Sequence, residues 1–319
     1  MKVNSRSTGD IFNSQGNFRD LILDCMVHLS VIGFIFFLIL NVPVLDPPDA
    51  TAAFTREPAC VECHGDLTGR DVMHEPAADA CDNCHEPSGF PHPGEEGRGY
   101  GLVDSIPALC YYCHEEEGDL PHEHVPFAGG GCMACHDPHG SSELSLLRFP
   151  EKQLCLSCHN RTYRTDTSEI INIRRLISGK GKAHTAITEM GCTVCHRAHG
   201  SGFRKILVEA FPEEPYVPAE TERFGLCFLC HDASLILEEE SEWATGFRNG
   251  TRNLHQLHIN GNKGRNCTLC HDMHGSTGDY LIKESVSFGD WQMEMNFIPS
   301  GQGGSCLPGC HGRETYSRQ

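Results

Sequence analysis

Nine short motifs dominate this sequence, and each consists of two cysteines with a histidine directly after the second. Eight have the spacing Cys-x-x-Cys-His, and the ninth has three residues between its cysteines. We call each motif a core and number the cores 1 to 9 in chain order. Their cysteine pairs are Cys60 and Cys63, Cys81 and Cys84, Cys110 and Cys113, Cys132 and Cys135, Cys155 and Cys158, Cys192 and Cys195, Cys227 and Cys230, Cys267 and Cys270, and Cys306 and Cys310. Their histidines are His64, His85, His114, His136, His159, His196, His231, His271 and His311.

The histidine in every core selects one interpretation of the cysteines. Zinc sites and disulfide frameworks also use paired cysteines, but neither requires a histidine directly after the second one. Cys-x-x-Cys-His is the attachment signature of c-type haem, in which both thiols form thioethers and the histidine binds the iron. We therefore expect nine covalently attached haems, with core 9 absorbing its extra residue in a Pro-Gly turn. Nine pairs use 18 of the 19 cysteines and leave Cys25.

So many cofactors constrain the fold of a chain of 319 residues. With roughly one haem per 30 residues, the polypeptide is too short to bury a large core of its own. The sequence predicts a mostly irregular chain with short α-helices and little β structure, wrapped as a repeat array on a stack of haems. The net charge of −18 argues against nucleic-acid binding, because phosphate recognition needs basic surfaces.

The first 53 residues differ from the rest of the chain. The apolar stretch 29–40 follows basic residues and precedes the small-residue sequence Ala50-Thr-Ala52. This pattern predicts a secretory signal peptide, with an uncleaved membrane anchor as the alternative. Export to the periplasm or the extracellular face agrees with the attachment of c-type haem outside the cytoplasm. Residues 54–319 then form one nine-haem domain.

Within that domain the cores recur in units, as expected for a repeat array. Each unit has a first core, a spacer that ends in a lone histidine, and a second core. Units two to four end with a second histidine and a glycine. The units cover residues 60–92, 110–140, 155–200 and 227–275, and a half unit covers 306–311.

The remaining histidines supply candidate sixth ligands for the irons. The lone histidines are His74, His124, His184 and His258. The histidines that end units two to four, which we call the staple histidines, are His139, His199 and His274. Each staple histidine lies too close in sequence to its own core to reach the opposite face of that haem, so we expect it to bind the iron of a neighbouring haem.

Three histidines fall outside this regular pattern. Unit one ends with His92, seven residues after the histidine of core 2. His122 and His255 occupy no repeat position, and either could serve core 9, with His255 preferred because it is nearer in sequence. Met293 and Met295 are the alternative ligands there, although methionine beside porphyrin is more often a gap filler. The histidines thus suffice for two on every iron, with one to spare.

This arrangement resembles the multihaem cytochromes c with doubled Cys-x-x-Cys-His motifs, from about residue 60 to residue 311. The likeness is clearest in His124-Val-Pro-Phe-Ala-Gly-Gly-Gly-Cys-Met-Ala-Cys-His-Asp-Pro-His-Gly-Ser and Leu154-Cys-Leu-Ser-Cys-His. The resemblance implies closely packed bis-histidine haems and electron transfer outside the cytoplasm. The partners expected in anaerobic respiration are a quinol dehydrogenase and a terminal reductase, an outer-membrane conduit or an extracellular metal oxide.

Two other functions remain open from the sequence. A multihaem reductase would need an iron with an open coordination position and nearby acid–base groups, and the haem of core 9 is the candidate. A filament of stacked subunits would use a histidine of one chain to bind an iron of the next.

Local structure is predicted at four places. A capping box of Asp166 and Glu169 predicts a helix that ends at Gly179. A second helix is expected from Cys227 to Glu240. Residues 87–101 and 211–218 are rich in proline, glycine or acidic residues and are predicted linkers.

Overall fold

A computed structural model describes residues 58–92, 99–164 and 169–319. All of them belong to one compact unit, Arg56–Gln319. The predicted signal peptide or anchor at 1–53, and its boundary with the nine-haem domain, lie outside the described residues. Within the described part of the chain, no helix has the length and apolar character needed to cross a membrane.

The helices are short, as predicted. The α-helices are Pro58–His64, Glu75–Asp79, Val125–Ala128, Cys132–Cys135, Glu151–Cys158, Ile173–Ser178, Thr185–Glu189, Gly225–Phe228, Ser234–Leu237, Leu254–Ile259 and Cys267–Cys270. The 3-10 helices are Gly65–Leu67, Cys81–Asn83, Cys110–Tyr112, Leu144–Leu146, Arg204–Ile206, Thr221–Phe224 and Asp279–Leu281. Several cores form a single helical turn, which places the two thiols on one face because residues three apart are neighbours on a helix.

The strands are also short and pair mostly two by two. They are Val72–Met73, His85–Pro87, Tyr100–Leu102, His122–Glu123, Gly140–Ser141, Tyr163–Arg164, Glu169–Ile170, Lys182–Ala183, Gly200–Ser201, Arg248–Asn249, Arg252–Asn253, Gly275–Ser276, Ser285–Phe288, Trp291–Glu294, Ile298–Ser300, Gly303–Cys306 and Glu314–Ser317. The last three form one antiparallel sheet, with the middle strand bonded to both others. Core 9 lies at the end of that middle strand and in the loop after it.

Three of the strand pairs repeat one connection between successive units. In each, two residues before a lone histidine pair antiparallel with the Gly-Ser that follows a staple histidine of the next unit. The pairs are Val72–Met73 with Gly140–Ser141, His122–Glu123 with Gly200–Ser201, and Lys182–Ala183 with Gly275–Ser276. The glycine is needed because a Cβ at Gly140 would lie 2.8 Å from Val72 O, and one at Gly200 would lie 2.7 Å from His122 O.

Side chains provide little interior. Nine apolar side chains are buried among the described residues, and all nine lie after residue 155. Val217, Phe224, Ile236 and Ile259 form one cluster, which joins unit four to the segment before it and which we call the unit-four cluster. Units one and two contain no buried apolar side chain in their described residues, which agrees with a chain that needs cofactors to complete its interior.

Three local predictions need correction. Glu169 lies in a strand, and the helix begins later, where the Asn172 side chain accepts a hydrogen bond from Arg175 N at 2.9 Å; Asp166 lies outside the described residues. The expected helix from Cys227 to Glu240 is instead two helices, Gly225–Phe228 and Ser234–Leu237. In the turn that separates them, the Asp232 carboxylate accepts a hydrogen bond from Ser234 N.

The described parts of the two predicted linkers contribute to regular structure, and residues 93–98 lie outside the described residues. Both ends of 87–101 contribute to an antiparallel strand pair that begins at His85. Val217, in the segment 211–218, is buried in the unit-four cluster, and Phe211 packs against that cluster. Proline and acidic residues on the exposed side concealed the apolar residues that anchor this segment.

Candidate haem-binding sites

The histidine of every core faces the ring of one other histidine. The nine pairs have ring centres 5.9–6.5 Å apart. In order of the cores, they are His64 with His92, His85 with His139, His114 with His74, His136 with His199, His159 with His124, His196 with His274, His231 with His184, His271 with His255, and His311 with His258.

This spacing matches one metal ion between two imidazoles. Metal–nitrogen bonds of about 2.0–2.1 Å, plus about 1 Å from each nitrogen to its ring centre, separate the centres by about 6 Å. Rings in van der Waals contact would stack much closer. The donors also have the right chemistry, since two imidazoles are an established ligand set for haem iron. The residues therefore fit a six-coordinate haem iron at every core.

A simple rule relates the pairs to the predicted units. The lone histidine of each unit faces the first core of the next unit, as His124 of unit two faces His159 of unit three. The staple histidine of each unit faces the second core of the preceding unit, as His199 of unit three faces His136 of unit two. Successive units thus exchange one histidine in each direction across every junction.

Two of the three irregular histidines lie opposite the two cores to which this rule assigns no partner. Core 1 has no preceding unit, and its His64 faces His92, 5.9 Å away between ring centres. Core 8 has no later staple histidine, and its His271 faces His255 at 6.3 Å. His92 and His255 therefore take the places of the missing neighbours.

The structure differs from the sequence interpretation at core 9. His255 was the preferred partner for this core, but its ring faces core 8, and His258 lies 6.5 Å from His311. Leu254–Ile259 is a helix, which carries both histidines to two different cores. Met293 is buried, with its sulfur 3.4 Å from Cys310 Sγ. His122 belongs to no pair among the described residues and lies in a strand opposite Ser201.

Backbone hydrogen bonds join a lone histidine to a staple histidine at two of the junctions. His124 N donates to His199 O at 2.8 Å, and His184 N donates to His274 O at 3.2 Å. The Nδ1–H of His124 also bonds to Ala198 O at 2.9 Å, and that of His74 bonds to Pro138 O at 2.8 Å. A bond at Nδ1 fixes the orientation of the ring and leaves Nε2 for a metal.

A loop that the sequence does not predict orients three core histidines in the same way, through a hydrogen bond at Nδ1. The Nδ1–H of His136 bonds to Ser145 O at 2.8 Å, that of His196 to Lys205 O at 3.0 Å, and that of His271 to Tyr280 O at 2.9 Å. Each acceptor residue has a positive φ of 56–57° and is followed by a second residue with positive φ. Such backbone is uncommon outside glycine and concentrates at functional sites. Because serine, lysine and tyrosine are not turn residues of this kind, the sequence contains no signal for this loop.

Burial keeps many of these rings neutral, which is the form that binds metal. It lowers the pKa of His255 to about 4. Burial also lowers the pKa of His124, His159, His184, His196, His258, His271 and His274 below the usual range.

The cysteines show which cores are adjacent. The core cysteines of the described residues stand where thioether sulfurs would be. First thiols meet within a unit: a hydrogen bond to Cys192 raises the pKa of Cys155, and one to Cys267 raises that of Cys227.

Second thiols of one unit approach the first core of the next. Burial and the neighbouring Cys113 raise the pKa of Cys84, and burial and Cys306 raise that of Cys270 to about 11. The remaining neighbours of this kind are Cys135 with Cys158 and Cys195 with Cys230. Together with the first-thiol contacts, including Cys110 with Cys132, they place cores 2 to 9 side by side in chain order.

Comparisons with known proteins agree with this repeat. The family model described as "Doubled CXXCH motif" matches residues 74–119, 124–163 and 184–234. Each match begins at a lone histidine and ends after the core that this histidine faces, so it is offset by one core from the units predicted above. His258, core 8 and core 9 continue the same order, which leaves core 1 as the additional one.

A curated relative extends the likeness. The chain is 30% identical over 131 residues to Multiheme cytochrome MtrA from Shewanella baltica (strain OS185). The aligned part covers 38% of this chain and 36% of that protein, so the chain spans little more than a third of its relative's length. The predicted resemblance to multihaem cytochromes c with doubled motifs is confirmed.

Proposed function

We propose that this chain, which resembles the doubled-motif multihaem c-type cytochromes, carries electrons along nine covalent haems whose irons each lie between two histidines. The observation that carries the proposal is the set of nine histidine pairs, each spaced for one iron. In this proposal the 18 cysteines of the cores form the thioethers, the core histidines are the proximal ligands, and the paired histidines are the distal ones.

Closed coordination suits electron transfer. An iron with two protein ligands in addition to the porphyrin has no position left for a substrate, so it can exchange electrons without binding one. Two histidines also give a lower potential than a histidine and a methionine, because the thioether raises it. The protein's own contribution is to fix ring orientation through Nδ1 and to exclude water from the iron.

The adjacency of the cores supports a continuous path. Thiols of consecutive cores approach one another from core 2 to core 9, alternately through first and second cysteines. Attached porphyrins would then lie close to their neighbours in chain order. The path would run from the amino-terminal units to the carboxy-terminal sheet that holds core 9.

The cellular setting is part of the proposal. Covalent haem attachment and the apolar stretch 29–40 favour export to the periplasm or the extracellular face, with the amino-terminal segment as a cleaved signal or a membrane anchor. The partners would be redox proteins in anaerobic respiration: a quinol dehydrogenase as donor, and a terminal reductase or an outer-membrane conduit as acceptor.

Carbon monoxide tests this function against that of a reductase. A reductase needs an open iron, for which the sequence makes core 9 the candidate, but the ring of His258 lies opposite His311 of that core. We expect the fully reduced native holoprotein to bind no carbon monoxide in optical titration, because every iron already has two histidines. Binding of about one equivalent per chain would contradict the proposal and favour the reductase.

Pairing within one chain also bears on the filament alternative. A filament joined by shared ligation would need an iron whose second histidine comes from another copy. All nine core histidines face a histidine of the same chain, which supports a subunit complete in itself. A holoprotein that is monomeric in sedimentation and low-spin at every iron would agree with this; loss of low-spin character on dilution to monomers would oppose it.

A further inference from the structure

His199 differs from the other two staple histidines in the orientation of its ring. The planes of His139 and His85 are 5° apart, and those of His274 and His196 are 4° apart. The planes of His199 and His136 are 59° apart, although the ring centres are separated by the same 6.1 Å. The three histidines occupy the same place in their repeats, so the difference arises from their surroundings.

Two neighbours of His199 account for its orientation. Glu117 Oε1 lies 2.6 Å from His199 Nδ1, and the ring of Phe127 stacks on His199 with centres 4.7 Å apart and planes 19° apart. Glu117 lies in the acidic segment just after core 3, whereas His199 faces core 4. Glu117, which follows core 3 in the sequence, therefore orients the ring that faces core 4.

The corresponding acidic residue at His139 is arranged differently. Asp137 Oδ1 is 3.5 Å from His139 Nδ1, and the same carboxylate forms an ion pair with Arg70 at 2.9 Å. Within the described part of the chain, Glu117 forms no ion pair with a lysine or an arginine. Its carboxylate instead contacts the ring of His199. The charge of Glu117 is thus directed at an imidazole, while that of Asp137 is shared with a guanidinium.

We propose that Glu117 is a positioning residue for His199 and lowers the reduction potential of the haem at core 4. This inference rests on the proposed bis-histidine ligation. A carboxylate that accepts the Nδ1–H makes the imidazole a stronger donor at Nε2. The stronger donor and the nearby negative charge both stabilise ferric over ferrous iron. Removing the charge should therefore raise the potential of the haem at core 4.

Electron paramagnetic resonance can follow this haem separately. Low-spin ferric haems with strongly rotated ligand planes give a more anisotropic signal than haems with parallel planes. Core 4 at 59° and core 7, whose His231 and His184 are 69° apart, should belong to the anisotropic class. Cores 2 and 6 should belong to the other class.

The test is a redox titration of the holoprotein monitored by these signals. Glu117→Gln keeps a polar side chain of the same shape and removes the charge. We expect one anisotropic component to shift to a higher midpoint potential, while the signals of cores 2 and 6 keep theirs. The haem content should stay at nine, because no cysteine or ligand is changed.

Glu116→Gln is the matched control, since it removes the same charge one residue away. It should leave the midpoint of the haem at core 4 at its native value. The proposal is overturned if Glu117→Gln shifts no midpoint, or if Glu116→Gln produces the same shift. Failure of the proposed ligation would look different, because the native protein would then lack nine low-spin haems from the start.

Discussion

We expect the replacement of His139 with alanine to open the iron of core 2 and to leave all nine haems attached. The ring of His139 faces His85, 6.1 Å away, whereas the thioethers of its own core 4 do not involve it. The vacated iron should become high-spin and bind about one equivalent of carbon monoxide per chain when reduced. Optical titration of the variant, with the haem content measured by pyridine haemochrome, gives both numbers on one sample.

His199→Ala and His274→Ala should behave in the same way at cores 4 and 6. The control is His122→Ala, since His122 pairs with no histidine ring in the described structure and lies in a strand next to a lone histidine. This variant should stay low-spin and should not bind carbon monoxide. If the three staple variants also stay low-spin, the staple histidines are not ligands and the exchange between units has no role in coordination.

Converting both cysteines of core 9 to serine should give a protein with eight haems, and two further substitutions should then have opposite effects. His258 faces core 9, so His258→Ala in that background should open no remaining iron. His255 faces core 8, so His255→Ala should produce one high-spin haem that binds carbon monoxide. Non-additivity of this kind identifies residues that act as one unit.

The native background provides the control for this pair. There, His255→Ala and His258→Ala should each open one iron, because both cores are occupied. A high-spin haem from His258→Ala in the eight-haem protein would contradict the assignment. So would the absence of one from His255→Ala, since the original sequence expectation, with His255 on core 9, predicts that result.

Much of the site could be predicted because short sequence motifs specify its chemistry. Cys-x-x-Cys-His specifies attachment and one ligand within five or six residues, and counting identified the histidines that could complete the set. The fold class followed from the ratio of cofactors to residues. The structure confirms the short helices, the small strands and the sparse interior of side chains.

The partner of each histidine could not be predicted, because it depends on contacts between units. Sequence distance favoured His255 for core 9, but the helix Leu254–Ile259 presents His255 and His258 to different cores. The left-handed backbone of Ser145, Lys205 and Tyr280 is not indicated by their residue types. Their carbonyl oxygens accept hydrogen bonds from core histidines, so this conformation depends on contacts that form in the fold. The sequence does not distinguish Glu117 from the acidic residues around it, because only the fold brings it beside His199.

The central claim is that every iron is held by two histidines of the same chain. Near-infrared magnetic circular dichroism of the oxidised, monomeric holoprotein tests it most directly, because the charge-transfer band of low-spin ferric haem reports its axial ligands. Ligation of every iron by two histidines predicts a bis-histidine band whose intensity corresponds to nine haems per chain. A histidine–methionine band, or a high-spin contribution equal to one or more haems, would contradict it.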